Sequence, residues 1–448
     1  MTAMRFLIVP NFALPYDQRM VNGLAEGFRE IGCEAIALGA PMPAETLATI
    51  VNRVGPDVVL QVNRFRPTDS PLPPNVRHIA WFQDVFPDTS RRVEGSERTG
   101  DIVYALGDAK VLGLKTELPC FVGSLVTGVD RSTTEVKRKE WAQVLDFSLC
   151  GYIPPPLVFR KNLKSDLVWY LNDLFDRLPV VGASWSFRRL RVRLLRRYIT
   201  TDYVPYALST SLQELSSALY RPLRGELDID LIADALRATA KPYVKMRPER
   251  AQSGHWSRRG RLGRVLAPYR ASGADRRSAL ESLINGLTRE YPRLLDRVAL
   301  IGAALQVSRS LALYGPGWDA HEAFRAYHKG IIDDHPTLLA VFQRSRINLA
   351  NNTHGLGLHS RTLECMAVGG FIFMHRSPHD ERPGGMLTSF EPGVHYGAYT
   401  PETFREEALR WLADEQGRTK AGAQAAAVIR EKHLWRHRAE QIVSDLKR

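Results

Sequence analysis

Cysteine is scarce: Cys33, Cys120, Cys150 and Cys365 are the four in 448 residues. No two stand close enough for a CxxC metal or redox motif. Most lie in apolar runs, so they read as buried free thiols of a reducing compartment. No apolar run approaches the about 20 residues that span a bilayer. The apolar run in MTAMRFLIVPNF is too short for a signal peptide and reads as a first strand. The expected location is therefore the cytoplasm. HExxH is absent, because HEAFRAYH at 321–328 has the wrong spacing. GxSxG, GxxxxGKS or GxxxxGKT, and GxGxxG are absent as well, which counts against a hydrolase elbow, a phosphate loop and the standard dinucleotide fingerprint. No internal repeat, low-complexity tract or DxD tract near a strand end is found.

What is present is a long, basic, apolar-rich chain. Its length suggests two or three domains, and 44% apolar residues suffice for real cores. A formal charge of +13 favours an anionic partner: nucleic acid, a phosphorylated small molecule or an acidic membrane surface. The first third alternates strand and helix. MRFLIVP, CEAIAL, PDVVLQV, VRHIAWF, DIVYALG and LPCFVG read as short apolar strands, separated by helices such as DQRMVNGLAEGFREIG. Strands without alternation fit a parallel sheet covered on both faces, hence a doubly wound α/β domain. A second series starts at DFSLCGY (146–152) and resumes at SLALYG (310–315), RINLAN, GFIFMH and VHYGAY. Between them, about 157–307 is helix-patterned and arginine-rich, with FRRLRVRLLRR at 187–197 and SGHWSRRGRLGR at 253–264. The chain ends in helical patterns, among them REKHLWRHRAEQIVSDL at 430–446.

One stretch, GLHSRTLECMAVGGFIF at 357–373, concentrates the chemistry. It follows the strand RINLAN and a turn, and a helix is expected to begin near Ser360. In doubly wound sheets, ligands meet the carboxyl ends of strands and the helix N-termini that face them. Free N–H groups there suit a diphosphate. Ser360 can cap, His359 can donate and Arg361 adds a full charge. Glu364 is one turn on, on the same face, where a carboxylate can accept two ribose hydroxyls. Gly369 and Gly370 end the helix. A Ser-capped helix with an exposed Arg–Glu pair fits the segment equally well when it is taken alone. SLALYGPGW and FSLCGYIPPP add two more glycine-bearing strand ends, the second followed by Arg160 and Lys161.

These residues match a family. RINLANNTHGLGLHSRTLECMAVGGFIFMH resembles the C-terminal signature of group-1 glycosyltransferases, especially the CgeB-type (spore-maturation-protein-like) branch. LYGPGW, AYHKGII, FEPGVHYGAYTPETFREEALRWLADEQGR and EKHLWRHRAEQIV look like that branch too. The similarity covers about 300–448 well and the first 155 residues loosely. TGVDR at 127–131 resembles the exit from the family's first domain.

The resemblance implies the α/β GT-B architecture. Two Rossmann-like domains, 1–130 for the acceptor and 131–448 for the nucleotide sugar, face across a cleft. The second carries the insertion at about 157–307, and a final helix at about 430–446 crosses back. It also implies a metal-independent hexosyltransferase-type enzyme. The donor is a nucleotide-diphosphate sugar, there is no other cofactor, and the acceptor is a glycan, a lipid-linked molecule or a protein. Ser360 and Arg361 would contact the phosphates, with Gly357, His359 and Thr362 alongside, and Glu364 the ribose. Gly315, Gly317 and Trp318 would lie near the base. Gly151, beside Tyr152, would let the backbone approach the diphosphate, and Arg160 and Lys161 are candidates for a basic pair. The chain departs from the family in one place. Many relatives carry a second glutamate eight positions before the one matched by Glu364, and here that position is Leu356. How the sugar hydroxyls are held is therefore not set by this motif.

Glycosyl transfer needs a neutralised leaving group, an oriented acceptor hydroxyl and exclusion of water. Arg361 would serve the first. Asp84, in AWFQDVFPD, stands where a cleft-facing base would, although a turn-forming aspartate fits as well. Gln83 adjoins it, and Asn11 and Tyr16 in NFALPY could line the acceptor site; His354 is a lesser candidate for the base. The basic insertion has three readings: a solvated helical face, a membrane-surface patch reaching a lipid-linked acceptor at the inner face of the membrane, or an interaction surface. Two other functions stay open. A catalytically silent GT-B-like scaffold would also carry these motifs. A nucleic-acid-binding protein would need clustered stacking aromatics or a known module, and none is seen, so no nucleic-acid partner is expected.

Overall fold

The computed structural model describes residues 3–66, 72–83, 97–109, 118–136, 145–154, 291–350, 356–377 and 379–448. Asp84, Arg160, Lys161, His354 and both arginine-rich segments of the insertion lie outside them. Elements are numbered here over the described residues.

The N-terminal lobe is built on six strands: β1 (Arg5–Val9), β2 (Glu34–Ala37), β3 (Val58–Val62), β4 (Arg77–Phe82), β5 (Ile102–Ala105) and β6 (Phe121–Ser124). They form one parallel sheet in the order β2-β1-β3-β4-β5-β6. The C-terminal lobe has β7 (Leu145–Cys150), β8 (Leu311–Tyr314), β9 (Ser345–Ala350), β10 (Ile372–His375) and β11 (Gly397–Tyr399). They are also parallel, in the order β11-β10-β9-β7-β8. β1, β3 and β4 are almost wholly buried, which accounts for their unbroken apolar sequence. The helices are α1 (Pro15–Glu30), α2 (Ala44–Val54), α3 (Arg131–Thr134), α4 (Tyr291–Val307), α5 (His335–Arg344), α6 (Ser360–Ala367), α7 (Phe404–Ala413), α8 (Glu415–Lys432) and α9 (Trp435–Asp445).

Both sheets belong to one compact unit, Met1–Tyr152 with Gly302–Pro316 and Ala326–Arg448; Ile153–Ile301 with Gly317–Arg325 form another. Within the second unit, Trp318 packs edge-on against Phe324, with ring centroids 6.0 Å apart. His321 Nε2 lies 2.9 Å from the Pro154 carbonyl.

The chain end departs from the sequence expectation in one respect. The single helix expected over 430–446 is broken: α8 stops at Lys432 and α9 starts at Trp435. The cause is tertiary. Leu434 forms a parallel bridge with Val129, and the Val129 N–H donates to the His433 carbonyl at 2.8 Å. Strand-like pairing is incompatible with helical backbone, so the chain kinks there. α9 then returns to the N-terminal lobe. Trp435, Ala439, Ile442 and Leu446 join the core formed by α1 and the first sheet, and the Tyr104 hydroxyl donates to Asp445 at 2.7 Å.

Trp435 finds room because glycines surround it. A Cβ on Gly27 would stand 2.6 Å from the Trp435 backbone, and one on Gly128 2.6 Å from its ring. Gly23, one turn before Gly27, faces the same indole. In α1 the buried Met20, Val21, Leu24, Ala25 and Phe28 form the apolar stripe toward the sheet, and the two glycines admit α9.

Candidate functional site

Both sheets share a doubly wound order, so each has one switch point. From β1 the chain moves toward β2, and from β3 toward β4. From β7 it moves toward β8, and from β9 toward β10. Ligands of such sheets bind outside the carboxyl ends of the strands flanking that reversal. In the C-terminal lobe those strands are β7 and β9, and the candidate residues cluster there.

α6 follows β9. His359 is its N-cap, and the His359 ring Nδ1 receives the Arg361 N–H at 3.4 Å. Ser360, expected to cap, is instead the first helical residue and is buried; its Oγ lies 3.3 Å from His359 Nδ1. The helix ends as the double glycine predicts. Gly369 adopts φ 72° and donates to Met366, while Gly370 donates back to Cys365, the paired bonds of a Schellman stop. Gly370 also has no room for a side chain, since a Cβ would lie 2.6 Å from Cys365 Sγ.

Arg361 reaches across to the end of β7. Its Nη1 donates to the Cys150 carbonyl at 2.6 Å, which places the guanidinium at the switch point beside the first turn of α6. Burial pushes the Cys150 thiol up to about 12, with Arg361 opposing, so the thiol stays protonated and is no nucleophile at neutral pH. Gly151 donates to Tyr314 at 2.8 Å. Gly315, at φ 116°, lies so close to Gly151 that a Cβ would come within 2.7 Å of its carbonyl. Tyr152 is half-buried. These glycines let two strand ends pack backbone to backbone. Gly357 serves packing too: a Cβ there would stand 2.8 Å from Met374 Sδ. Thr362 is buried. Gly317, at φ 94°, and the fully buried Trp318 belong to the other compact unit.

Glu364 is buried and already partnered. Arg19 of α1 donates to Oε1 at 3.3 Å, and His335, first residue of α5, brings Nε2 to 3.2 Å from the same oxygen. That second approach is a close contact without hydrogen-bond alignment. Asp130, just before α3, completes the group. Burial raises its pKa, His335 and Arg19 counter this, and Glu26 and Glu364 add to it. No sequence motif announced Arg19 or His335, and Asp130 stood in TGVDR without a role; only the fold brings the three together.

Leu356 is half-buried and packs against the cluster of Phe65, Ala80, Phe82, Val103 and Ala105 in the N-terminal lobe. A Cβ on Gly107 would come 2.7 Å from its Cδ1. At the first sheet's switch point, Asn11 is buried and Tyr16 is exposed on the first turn of α1. The Gln83 N–H donates to Asn63 Oδ1 at 2.7 Å, and its amide lies 2.7 Å from Met20 Sδ. Among the described residues, no group of three or more His, Cys, Asp or Glu could hold a metal. No helix among them is long and apolar enough to cross a membrane.

Two doubly wound parallel sheets, with a terminal helix returning to the first, define a GT-B-type α/β protein. Residues 289–444 match the family described as "Glycosyl transferase-like", which supports a glycosyl-transfer function for the chain. No curated protein matches it. Among solved structures, a glycosyltransferase from Rickettsia africae is similar at 10% identity and TM-score 0.46, over 100% of this chain and 98% of that one. AviGT4, a glycosyltransferase involved in avilamycin A biosynthesis, gives 14% and 0.46 over 99% and 97%. HepE from Anabaena, in complex with UDP and glucose, gives 12% and 0.42 over 99% of both chains.

Proposed function

We propose that the chain is a glycosyltransferase of the CgeB-type branch. It moves a hexosyl group from a nucleotide-diphosphate sugar to a hydroxyl on a glycan, lipid-linked or protein acceptor. The observation that carries this reading is Arg361. Its guanidinium hydrogen-bonds the end of β7 at 2.6 Å, beside the N-terminus of α6 and at the switch point of the second sheet. Negative charge grows on the leaving diphosphate as the glycosidic bond breaks. A fixed cation at a helix N-terminus stabilises that charge where it develops, and Gly151 and Gly315 keep the nearby backbone free of side chains.

Glu364 takes the ribose hydroxyls, and Asp84 orients or deprotonates the acceptor hydroxyl opposite, with Asn11, Tyr16 and Gln83 lining that side. Arg160 and Lys161 reinforce the phosphate site. The acceptor domain is 1–130 and the donor domain 131–448, and the enzyme acts in the cytoplasm. With positive charge supplied by the protein, the reaction needs no divalent metal.

Thermal-shift screening against UDP, GDP and ADP, with and without EDTA, tests the reading. One nucleotide is expected to raise Tm regardless of EDTA, and Arg361→Ala is expected to abolish the response. Stabilisation by DNA or RNA alone, with steep salt dependence, would sink it.

A further inference from the structure

The pairing of Glu364 crosses between the lobes. Arg19 stands on α1 of the N-terminal lobe, in the turn that follows β1 and its loop, while Glu364 stands on α6 of the C-terminal lobe. His335 approaches from α5. The hydrogen bond from Arg19 and the contact from His335 both fall on Oε1. A carboxylate held through one oxygen keeps the lone pairs of the other for a diol. It also loses the rotational freedom that it would otherwise give up on binding. Glu364 is 11% exposed at its side chain and Arg19 34%, so the carboxylate is shielded while the guanidinium keeps part of its contact with solvent. Asp130 adds negative charge near Glu364, and Glu26 adds more near Asp130.

We propose that Arg19 and His335 are positioning residues that aim the Glu364 carboxylate at the donor ribose, and that Arg19 makes ribose recognition depend on the N-terminal lobe. This rests on the reading of Glu364 as the ribose acceptor. In consequence, the donor site is complete only when the two lobes meet at this pair.

The test is calorimetric titration of the full chain with UDP, GDP and ADP, each beside its 2′-deoxy and 3′-deoxy forms. The readout is the affinity ratio of each ribose form over its deoxy form. Wild type is expected to discriminate roughly tenfold, the size of a hydrogen bond to a charged acceptor. Glu364→Gln is expected to remove most of that ratio. Arg19→Ala and His335→Ala are expected to lower it at least threefold, and Arg19→Lys to restore part of the loss. A residue whose removal weakens all forms equally is merely structural, and that result overturns its assignment. Tighter binding with an unchanged ratio in Arg19→Ala would make Arg19 a competitor of the ribose and overturn the proposal. If Glu364→Gln lowers the ratio while both alanine variants keep it, the inference fails and the ribose reading stands. If Glu364→Gln keeps it, or if no nucleotide binds wild type, both fail.

Discussion

At residue scale, Leu356 shows how one side chain exchanges one role for another. The family resemblance set an acid against this position, and here the leucine packs against the cluster of Phe65, Ala80, Phe82, Val103 and Ala105 across the lobes. A carboxylate placed there would be partly desolvated with no cation among those neighbours. Leu356→Glu is therefore expected to cost about 1–3 kcal/mol in chemical denaturation, with the C-terminal core intact by near-UV circular dichroism. An unchanged midpoint would mean that the leucine is not holding the lobes. The helix start at 359–360 teaches a related lesson. Sequence favours Ser360 as cap, because Ser is a common N-cap and His is not. Burial of Ser360 and the reach of the His359 ring decided otherwise, shifting the boundary by one residue.

At element scale, the contact of α1 with α9 rests on small residues that pattern reading treats as weaknesses. Gly23 and Gly27 lower the helix propensity of α1, so replacing one by alanine should stabilise an isolated helix. In the folded chain a Cβ on Gly27 meets the Trp435 and Arg436 backbone at 2.6–2.8 Å, and backbone cannot step aside as a flexible side chain would. Gly27→Ala is thus expected to destabilise by about 1–3 kcal/mol despite better propensity. Gly302→Ala, where a Cβ would meet nothing within 4 Å, should be neutral or slightly stabilising. Equal denaturation midpoints for the two variants would contradict this account of how α9 docks. The apolar period of α1 was legible in sequence; the partner of its glycines, more than 400 residues away at Trp435, was not.

At the scale of the whole molecule, three neutral histidines, His78 and His433 buried and His375 half-buried, set the response to acid. Burial lowers His78 to about 3, His375 to about 4 and His433 to about 3; at His433 the guanidinium of Arg438, 2.6 Å from Nδ1, adds to the effect. Their ordinary value is 6.5. A depressed folded pKa contributes stability that is complete above the unfolded value and is lost as pH falls toward the folded one. Tm is therefore expected to decline below about pH 6.5 and steeply toward pH 4. His433→Gln, which keeps an acceptor for Arg438, should flatten part of that slope. A Tm constant from pH 7 to pH 4 would show that these rings are not buried in the neutral form.

What the sequence determined by itself is local and periodic. Continuous apolar strands called for parallel sheets. Gly369-Gly370 called for a helix stop, and the polar run at His359-Ser360 for a helix start. Each depends on neighbours a few residues apart, which the chain order states directly. Tertiary structure alone decided the partners: Arg361 with the Cys150 carbonyl, Glu364 with Arg19 and His335, Leu356 with the first lobe, and the break at His433-Leu434. These pairings join segments from about 30 to more than 300 residues apart. They exist because folding into two sheets brings those segments together, and burial then makes each unpaired charge or misplaced Cβ costly.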